Sequence, residues 1–392
     1  MTSERGDVRR GTLLYFDGHA TTPCDPRVVT ALLPYFTERF GNASSAQHPF
    51  GWAAREAVEH ARGQVASLIG ARPRDVVFTS GATESNNLAI AGAVRALRSR
   101  GRHVVTLATE HTAVLDVCAV LEADGAIEVT RLGVDAGGLV DPAAVDAALR
   151  ADTVLVSVMA ANNEIGVLQP IAAIGALVRA RGAAFHVDAA QAAGKVALDV
   201  EAIGADLLSI SAHKFYGPKG VGALYVRRRG PVADLPPLHH GGGHERGLRS
   251  GTLNVPGIVG CGAAAEIARA SMADDAATLG GLRDRLLEGL QARVDGLHLN
   301  GARTPRLPHN LNVRIDRVNG RELLMGLSDV SLSSGAACCT ASAEPSHVLK
   351  AIGLSDDAAR ASLRFGLIRG TTAEDVDAAI HAVAGVVAAL RR

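Results

Sequence analysis

The sequence predicts an α/β protein in which helices cover both faces of a mostly parallel sheet. From about residue 53 to 226, short β-branched runs alternate with longer Ala-rich segments of helical periodicity. The β-branched runs are almost continuously apolar, which is typical of parallel strands that are buried on both faces. A chain of 392 residues also allows two or three packed units.

Five apolar runs predict strands of this sheet. The runs are 75–79 (DVVFT), 103–107 (HVVTL), 153–159 (TVLVSVM), 183–188 (AAFHVD) and 206–211 (DLLSIS). Ahead of them, residues 53–69 place their apolar side chains on one face of a helix.

A second region follows a loop rich in Gly, Pro and His at 235–256. Its pattern predicts a helix over 258–272, a further helical stretch and a short strand at 311–315. Thr371 and Glu374 have the spacing of a capping box at the start of a last helix.

These patterns predict two domains. We expect a large domain at 15–257, whose N-terminal segment also contributes to the small domain, and a small C-terminal domain at 258–392.

Composition narrows the class of protein. No apolar stretch is long enough to cross a bilayer, and the start MTSERGDVRR lacks the apolar core of a signal peptide. Forty basic residues balance forty acidic ones, which offers nucleic acid or an anionic membrane little long-range attraction. The five cysteines lack the spacing of a zinc site or a disulfide framework, so we expect reduced thiols in the cytoplasm and no bound metal.

Polar residues follow several of the predicted strands, where open α/β sheets bind their ligands. After the first strand comes TSGATESNN at 79–87, whose Gly turn, helix start and Thr83 hydroxyl suit a phosphate, although such residues are also ordinary helix caps. After the second comes His111, which can stack on an aromatic cofactor or carry protons, although a lone histidine is more often structural.

Two further strand ends carry an acid and an amine. Asp188 ends an apolar strand, where it either pairs with a protonated pyridine nitrogen or caps the next helix. Lys214 lies one short turn beyond a strand, and desolvation there would free its amine for a Schiff base. Ser211 and His213 add phosphate contacts. Taken together, these residues predict a site for pyridoxal 5'-phosphate.

The motifs that carry these residues resemble one family nearly end to end. They include FDGHATTPCDPRV, GNASS, FTSGATESNNLAI, TEH, ANNEIGVLQPI, HVDAAQAAGK, SAHKFYGPKGVGALYV, HERGLRSGTLNVP, SSGAACCTASAEPSHVL and SLRFGL. The chain resembles the NifS/IscS-like cysteine desulfurases, class-V aminotransferases of the type I pyridoxal-phosphate fold. This resemblance implies a mostly parallel seven-stranded sheet with a smaller α+β C-terminal domain.

The resemblance also implies roles around the cofactor ring. Lys214 would hold the cofactor covalently and remove the substrate α-proton, while Asp188 would pair with the pyridine nitrogen. His111 would stack on the ring and act as an acid or base for a thiol. Gln191 and Asn163 would lie beside the ring oxygen and the substrate.

The same resemblance also implies which residues bind the cofactor phosphate and the substrate carboxylate. Phosphate contacts would come from Ala82, Thr83, Ser211, His213 and, across a homodimer interface, Thr252. Arg364 would bind the substrate carboxylate, with Asn42 nearby, because a guanidinium matches a carboxylate.

Cys338 aligns with the catalytic cysteine of the family, on a loop rich in small residues. Its thiolate would attack the sulfur of L-cysteine, release L-alanine and retain a persulfide for an acceptor protein. The acceptor would be an iron–sulfur scaffold, a tRNA-thiolation enzyme or a carrier of another thio-cofactor pathway.

Three positions depart from the family pattern. Cys339 replaces the usual Thr or Ser, and we favour no role for it because vicinal cysteines close a strained ring. His19 stands where Asn or Ala is common, and His244 stands where Gln is common. Both histidines would tune the choice of substrate or partner.

Other functions remain as alternatives at this point. A selenocysteine lyase or another class-V aminotransferase or lyase shares the fold, but an aminotransferase does not need Cys338. A non-catalytic sulfur carrier or scaffold would gain nothing from a desolvated Lys214. A nicotinamide dehydrogenase is disfavoured because no G-x-G-x-x-G opens a βαβ unit. The sequence leaves open the acceptor, the preference for cysteine over selenocysteine, and whether the Cys338 loop binds iron.

Overall fold

A computed structural model of the chain describes residues 13–334 and 344–392. Its strands are β1 (Leu14–Tyr15), β2 (Val76–Thr79), β3 (His103–Leu107), β4 (Glu128–Leu132), β5 (Thr153–Met159), β6 (Ala184–Asp188), β7 (Leu207–Ser211), β8 (Gly222–Val226), β9 (Leu297–Leu299), β10 (Asn310–Ile315), β11 (Val330–Ser331) and β12 (Ser362–Gly366).

Helices connect these strands. They are α1 (Pro26–Leu32), α2 (Pro34–Thr37), α3 (Pro49–Leu68), α4 (Ala82–Leu97), α5 (Thr112–Ala123), α6 (Pro142–Ala148), α7 (Ile171–Ala180), α8 (Val200–Ile203), α9 (Val255–Gln291), α10 (Gly320–Gly326), α11 (His347–Ala351), α12 (Asp356–Arg360) and α13 (Ala373–Leu390). Short 3-10 helices lie at Pro73–Asp75, Ala212–Lys214 and Glu245–Gly247.

The main sheet has seven strands in the order β2-β8-β7-β6-β5-β3-β4. All neighbouring pairs are parallel except those that β8 makes with β2 and β7. Alternate strand residues pack on α4 and α5 on one face and on α3, α6, α7, α8 and α9 on the other. The predicted α/β fold with helices on both faces is therefore confirmed.

The five strands predicted from apolar runs are present with ends within one residue of the prediction. The apolar-run criterion missed β4 and β8. In β4, the sequence EVTRL lies at the sheet edge and is only partly buried, so it carries no continuous apolar run. The strand β8 has the sequence GALYV and is buried along its whole length, so its pattern was as strong as that of β3.

A second core forms around the antiparallel sheet β12-β10-β9, against which α9 and α13 pack. Phe16 from the N-terminal segment belongs to this core, and β1 pairs with β11. The helix α9 crosses between the cores, because Cys261 packs in the first and Leu286 in the second. The division at 257 and 258 stays a prediction.

Two details of the C-terminal region differ from the sequence prediction. The predicted helix over 258–272 and the stretch after it form the single helix α9, in which packing along both cores outweighs the low helix propensity of Gly280 and Gly281. The capping box of α13 uses Thr372 and Asp375, one residue later than predicted. Within the described ranges, no helix has the length and apolar character that crossing a bilayer requires.

Candidate active site

A cavity of about 510 Å³ lies at the carboxyl ends of the parallel strands. Most of the predicted site residues line it, namely Ala82, Thr83, His111, Asn163, Asp188, Gln191, Ser211, His213, Lys214 and Arg364. The fold thus brings together side chains that are spread over nearly 300 residues of sequence, as expected for the edge of an open α/β sheet.

Other predicted residues lie elsewhere. Asn42 is exposed, and its side chain accepts a hydrogen bond from Ser44 N at 2.9 Å. Thr252 is also exposed, and neither residue is among those that line the cavity in the described part of the chain. Cys338 and Cys339 fall within 335–343, outside the described residues.

A second hollow, of about 940 Å³, lies between α9 and α13. Two of its charged side chains pair with each other, because Arg285 Nη2 lies 2.6 Å from Asp377 Oδ2. It contains none of the predicted site residues. The cavity at the strand ends is therefore the candidate active site.

The start of α4 forms one end of the cavity. Gly81 is the N-cap residue, and no side chain in the described part of the chain caps the helix. The first N–H groups of α4 are therefore available to an anion, and Ala82 and Thr83 line the cavity. Gly81 has a φ of 148°, a conformation that favours glycine, and an added Cβ would lie 3.5 Å from Ser211 Oγ.

His213 stands beside this helix start. Its Nδ1 lies 3.2 Å from Thr21 Oγ1. Burial, together with the positive charges of Lys214 and Lys219, lowers the pKa of His213 to about 4. The ring is neutral near pH 7, so it offers an anion a hydrogen bond without a charge.

Asp188 ends β6 and is 5 % exposed. Its Oδ1 accepts a hydrogen bond from Ala190 N at 2.9 Å, and its Oδ2 accepts one from Asn86 Nδ2 at 2.7 Å. Sequence reasoning missed Asn86, whose signal was a polar residue on the buried face of α4. Each Asp188 oxygen keeps a lone pair for a further donor, such as a protonated ring nitrogen.

His111 both caps helix α5 and lines the cavity. It is the N-cap residue of α5, where its Nδ1 accepts a hydrogen bond from Ala113 N at 3.0 Å. This acceptor role places the ring proton on Nε2. Burial lowers the pKa of His111, which keeps the ring neutral. The structural and functional interpretations of this histidine are therefore compatible.

Lys214 ends the 3-10 helix that follows β7. Its Nζ donates to the carbonyl oxygen of His19, and also to that of Ala20 at 3.0 Å. Two backbone acceptors from the N-terminal segment therefore orient the amine at the cavity wall.

Arg364 reaches the cavity from β12 and is 1 % exposed. Its Nη1 donates to Asn163 O at 3.0 Å and its Nη2 to Asp17 Oδ1 at 2.9 Å. Ser333 Oγ donates to the same Asp17 oxygen at 2.9 Å. Sequence reasoning did not identify Asp17 as a partner of this guanidinium.

Two buried polar atoms at this wall have no hydrogen-bond partner among the described residues. They are Arg364 Nε and Asn163 Oδ1. A buried polar group without a partner is costly, and such groups often indicate a ligand.

The cavity fits pyridoxal phosphate. An uncapped helix start suits the phosphate, Asp188 suits the pyridine nitrogen, and Lys214 supplies the amine that this cofactor requires. Arg364 supplies the positive charge that a substrate carboxylate needs.

Comparison with known proteins agrees with this chemistry. The aminotransferase class-V family model matches residues 14–379. Cysteine desulfurase IscS of Anaeromyxobacter dehalogenans (strain 2CP-C) is 57 % identical over 94 % of this chain and 91 % of its own. The enzyme of the same name from Methylococcus capsulatus (strain Bath) is 55 % identical over 96 % and 93 %.

Solved structures agree as well. A NifS-like protein superposes with a TM-score of 0.89 at 37 % identity, covering 96 % of this chain and all of the other. SspA in complex with cysteine superposes with a TM-score of 0.79 at 38 % identity, covering 90 % and 98 %. This chain belongs to the class-V aminotransferase family and, within it, to the pyridoxal-phosphate-dependent cysteine desulfurases.

Proposed function

We propose that the chain converts L-cysteine into L-alanine and takes the sulfur as a persulfide on Cys338. The observation that carries this proposal is the presence of Lys214, Asp188 and Arg364 around one cavity. These three supply an amine, a carboxylate for a ring nitrogen and a cation for a substrate carboxylate.

The cofactor would be held at four points. Lys214 would bind it covalently, Asp188 would pair with its pyridine nitrogen, and His111 would form the wall against its ring. Its phosphate would lie at Ala82, Thr83, Ser211 and His213. When bound, the cofactor acts as an electron sink that makes the α-hydrogen of an amino acid acidic.

The residues of the chain then bind the substrate and move its protons. Arg364 holds the carboxylate of L-cysteine through charge-assisted hydrogen bonds, with Asn163 near the substrate. The Lys214 Nζ takes the α-proton. The carbonyls of His19 and Ala20 position this nitrogen at the cavity wall.

The transfer of sulfur from L-cysteine to Cys338 requires no added oxidant. The thiolate of Cys338 attacks the substrate sulfur, an S–S bond forms and the C–S bond breaks. The electron pair of the C–S bond stays with the β-carbon, which takes a proton, and Lys214 Nζ returns a proton to the α-carbon, which completes L-alanine. His111 exchanges the thiol proton through its Nε2.

A second copy of the chain would complete the site. Large apolar side chains of α2, α3 and the segment between them are exposed, and Phe36, Phe40, Phe50 and Trp52 each have more than half of their surface accessible. The ring centroids of Phe40 and Phe50 lie 5.3 Å apart, so these two side chains pack against each other within this apolar patch. Exposed apolar clusters often mark protein interfaces. In the homodimer, Thr252 would reach the phosphate of the other subunit.

The loop that carries Thr252 is anchored to its own subunit. Glu245 forms a buried ion pair with Arg62, with 2.6 Å between Oε2 and Nη1, and Glu245 also accepts a hydrogen bond from Phe78 N. This anchor supports an outward position for Thr252. We further propose that the protein works in the cytoplasm and passes its sulfur to an acceptor protein, either an iron–sulfur scaffold or a thiolation enzyme.

The test is the visible absorption of the purified protein together with sulfide and alanine release from L-cysteine, with an added thiol that reduces the persulfide and releases its outer sulfur as sulfide. We expect a cofactor band in the wild type and in Cys338→Ala, with equal sulfide and alanine release only in the wild type. Cys24→Ala removes a thiol outside the cavity and is the matched control, which should keep full turnover. Turnover that survives Cys338→Ala would instead indicate a lyase or an aminotransferase.

A further inference from the structure

The ring of His19 lies between two side-chain amides beneath the cavity. Its Nδ1 lies 3.0 Å from Gln191 Oε1, and its Nε2 lies 2.9 Å from Asn310 Nδ2. The ring is 1 % exposed. Which nitrogen carries the proton therefore depends on these two partners.

Arg306 determines the orientation of Asn310. Its Nη1 donates to Asn310 Oδ1 at 3.0 Å, and a guanidinium has no acceptor. The other end of the amide, Nδ2, donates to Glu164 O at 3.0 Å. Both contacts require the same amide orientation, so Asn310 must also donate to His19.

This donation fixes the tautomer of His19. Nε2 accepts from Asn310, so the proton of the neutral ring resides on Nδ1 and is donated to Gln191. Burial holds the pKa of His19 well below its usual range, and the charges of Arg364, Lys214 and Lys195 lower it further. The ring is therefore neutral, as this network requires.

The tautomer of His19 in turn fixes the orientation of the Gln191 side-chain amide. Its Oε1 accepts from His19, and its Nε2 donates to the carbonyl oxygen of His19 at 3.1 Å. An amide has two N–H groups, so one remains for a ligand in the cavity that Gln191 lines. A reversed amide would turn its nitrogen toward the Nδ1–H donor of His19 and its oxygen toward the carbonyl acceptor of His19.

We propose that His19 is a positioning residue that holds Gln191 with its N–H side toward the cavity, so that Gln191 can only donate to the ring oxygen of the bound cofactor. This inference rests on the proposed placement of the cofactor. It gives a role to a position where the sequence departs from the family pattern.

The neighbouring His309 provides a matched control. Its ring stacks on His19 with centroids 4.5 Å apart, and its Nδ1 has no hydrogen-bond partner among the described residues. His309→Phe changes the packing around His19 but leaves the two amide contacts in place. His19→Phe keeps a flat ring and removes both contacts. His19→Asn retains a donor for Gln191 close to the position of Nδ1.

The experiment titrates the visible band of the bound cofactor with pH in the holoenzyme. A donor at the ring oxygen competes for the lone pair that helps to hold the proton on the Lys214 nitrogen. Loss of this donor in His19→Phe should raise the midpoint by about one pH unit, the size expected for one hydrogen bond to a charged group. His19→Asn and His309→Phe should stay close to the wild type.

An unchanged midpoint in His19→Phe, or an equal shift in His309→Phe, would overturn the proposal and leave the desulfurase reaction intact. A wild type without a visible band would overturn the cofactor placement itself. Nitrogen-15 spectra of the histidine rings give a second readout that does not depend on activity. His19→Phe should remove the signals of a ring protonated on Nδ1, and removal of signals from an Nε2-protonated ring would contradict the assigned polarity.

Discussion

The buried Arg364 forms an ion pair with the partly buried Asp17 at the cavity wall, with 2.9 Å between Nη2 and Oδ1. Asp17 would therefore already balance part of the positive charge of Arg364 when the substrate binds. Asp17 both orients the guanidinium and competes with the substrate carboxylate for it.

Replacement of Asp17 by Asn separates these two effects. The amide oxygen still accepts a hydrogen bond from Arg364, but the negative charge is gone. We expect the KM for L-cysteine to fall by about threefold, which corresponds to less than the full value of one charge-assisted hydrogen bond. Steady-state kinetics with kcat as the control measures this. A rise in KM would show that orientation by Asp17 matters more than its charge.

Asn86 holds Asp188, the carboxylate that we propose faces the cofactor ring. Asn86→Ala removes the donor to Asp188 Oδ2 and leaves that oxygen buried. A lost hydrogen bond to a charged group should weaken cofactor binding and lower kcat by about tenfold. The visible band measured on dilution gives the affinity. Asn87→Ala on the same helix, where Asn87 bonds to Thr83 O, is the control. Equal effects of the two variants would contradict a specific role for Asn86.

Glu164 makes the stability of the fold depend on pH. Burial raises the pKa of Glu164 from 4.5 to about 7, against the lowering effects of the hydrogen bond from Ser346 and the charge of Arg364. The folded chain therefore binds more protons than the unfolded chain between these two values. This contribution to stability is complete below the lower value, is lost as pH rises through the window, and stays constant above it.

Glu164→Gln should remove this dependence. From about pH 4 to about pH 8, the free energy of unfolding of the wild type should fall relative to the variant by up to about 3 kcal/mol. Urea unfolding at both values measures the difference. The exposed Glu56→Gln is the matched control. Parallel pH curves for the wild type and Glu164→Gln would disprove the assignment.

Secondary-structure elements could be predicted where the pattern of their own residues indicates the structure. The run HVVTL became β3 because a parallel strand between two helical layers must be apolar along its whole length. Lys214 and Asp188 could be predicted because Asp188 ends one such run and Lys214 lies one short turn beyond another. The edge strand β4 faces fewer neighbours, so its sequence carries a weaker pattern.

Contacts distant in sequence could not be predicted in this way. Asp17 reaches Arg364 across 347 positions, and His19 reaches Asn310 across 291. Neither pair has a spacing rule, because the partners meet only after the N-terminal segment packs against the C-terminal core. The sequence marked His19 as unusual, but its role depends on where Arg306 and Gln191 lie.

If the apolar patch on α2 and α3 is the dimer interface, a charge introduced there should separate the dimer into monomers. Phe36→Asp places a charge where the second subunit should pack, so we expect the protein to shift from dimer to monomer in light scattering after gel filtration. Val120→Asp changes an equally exposed side chain on α5, outside the patch, and should remain dimeric. A monomeric wild type, or a dimeric Phe36→Asp, would contradict this interface.

Mixing two inactive variants tests whether Thr252 acts across the interface. Lys214→Ala lacks the essential amine, and Thr252→Asp repels the phosphate, so each homodimer should be inactive. If Thr252 serves the other subunit, a mixed dimer contains one site with both residues intact. Random reassortment should then restore about a quarter of the wild-type activity, because half of the dimers are mixed and each has one working site. If Thr252 served its own subunit, every site would contain one of the two changes and the mixture would stay inactive.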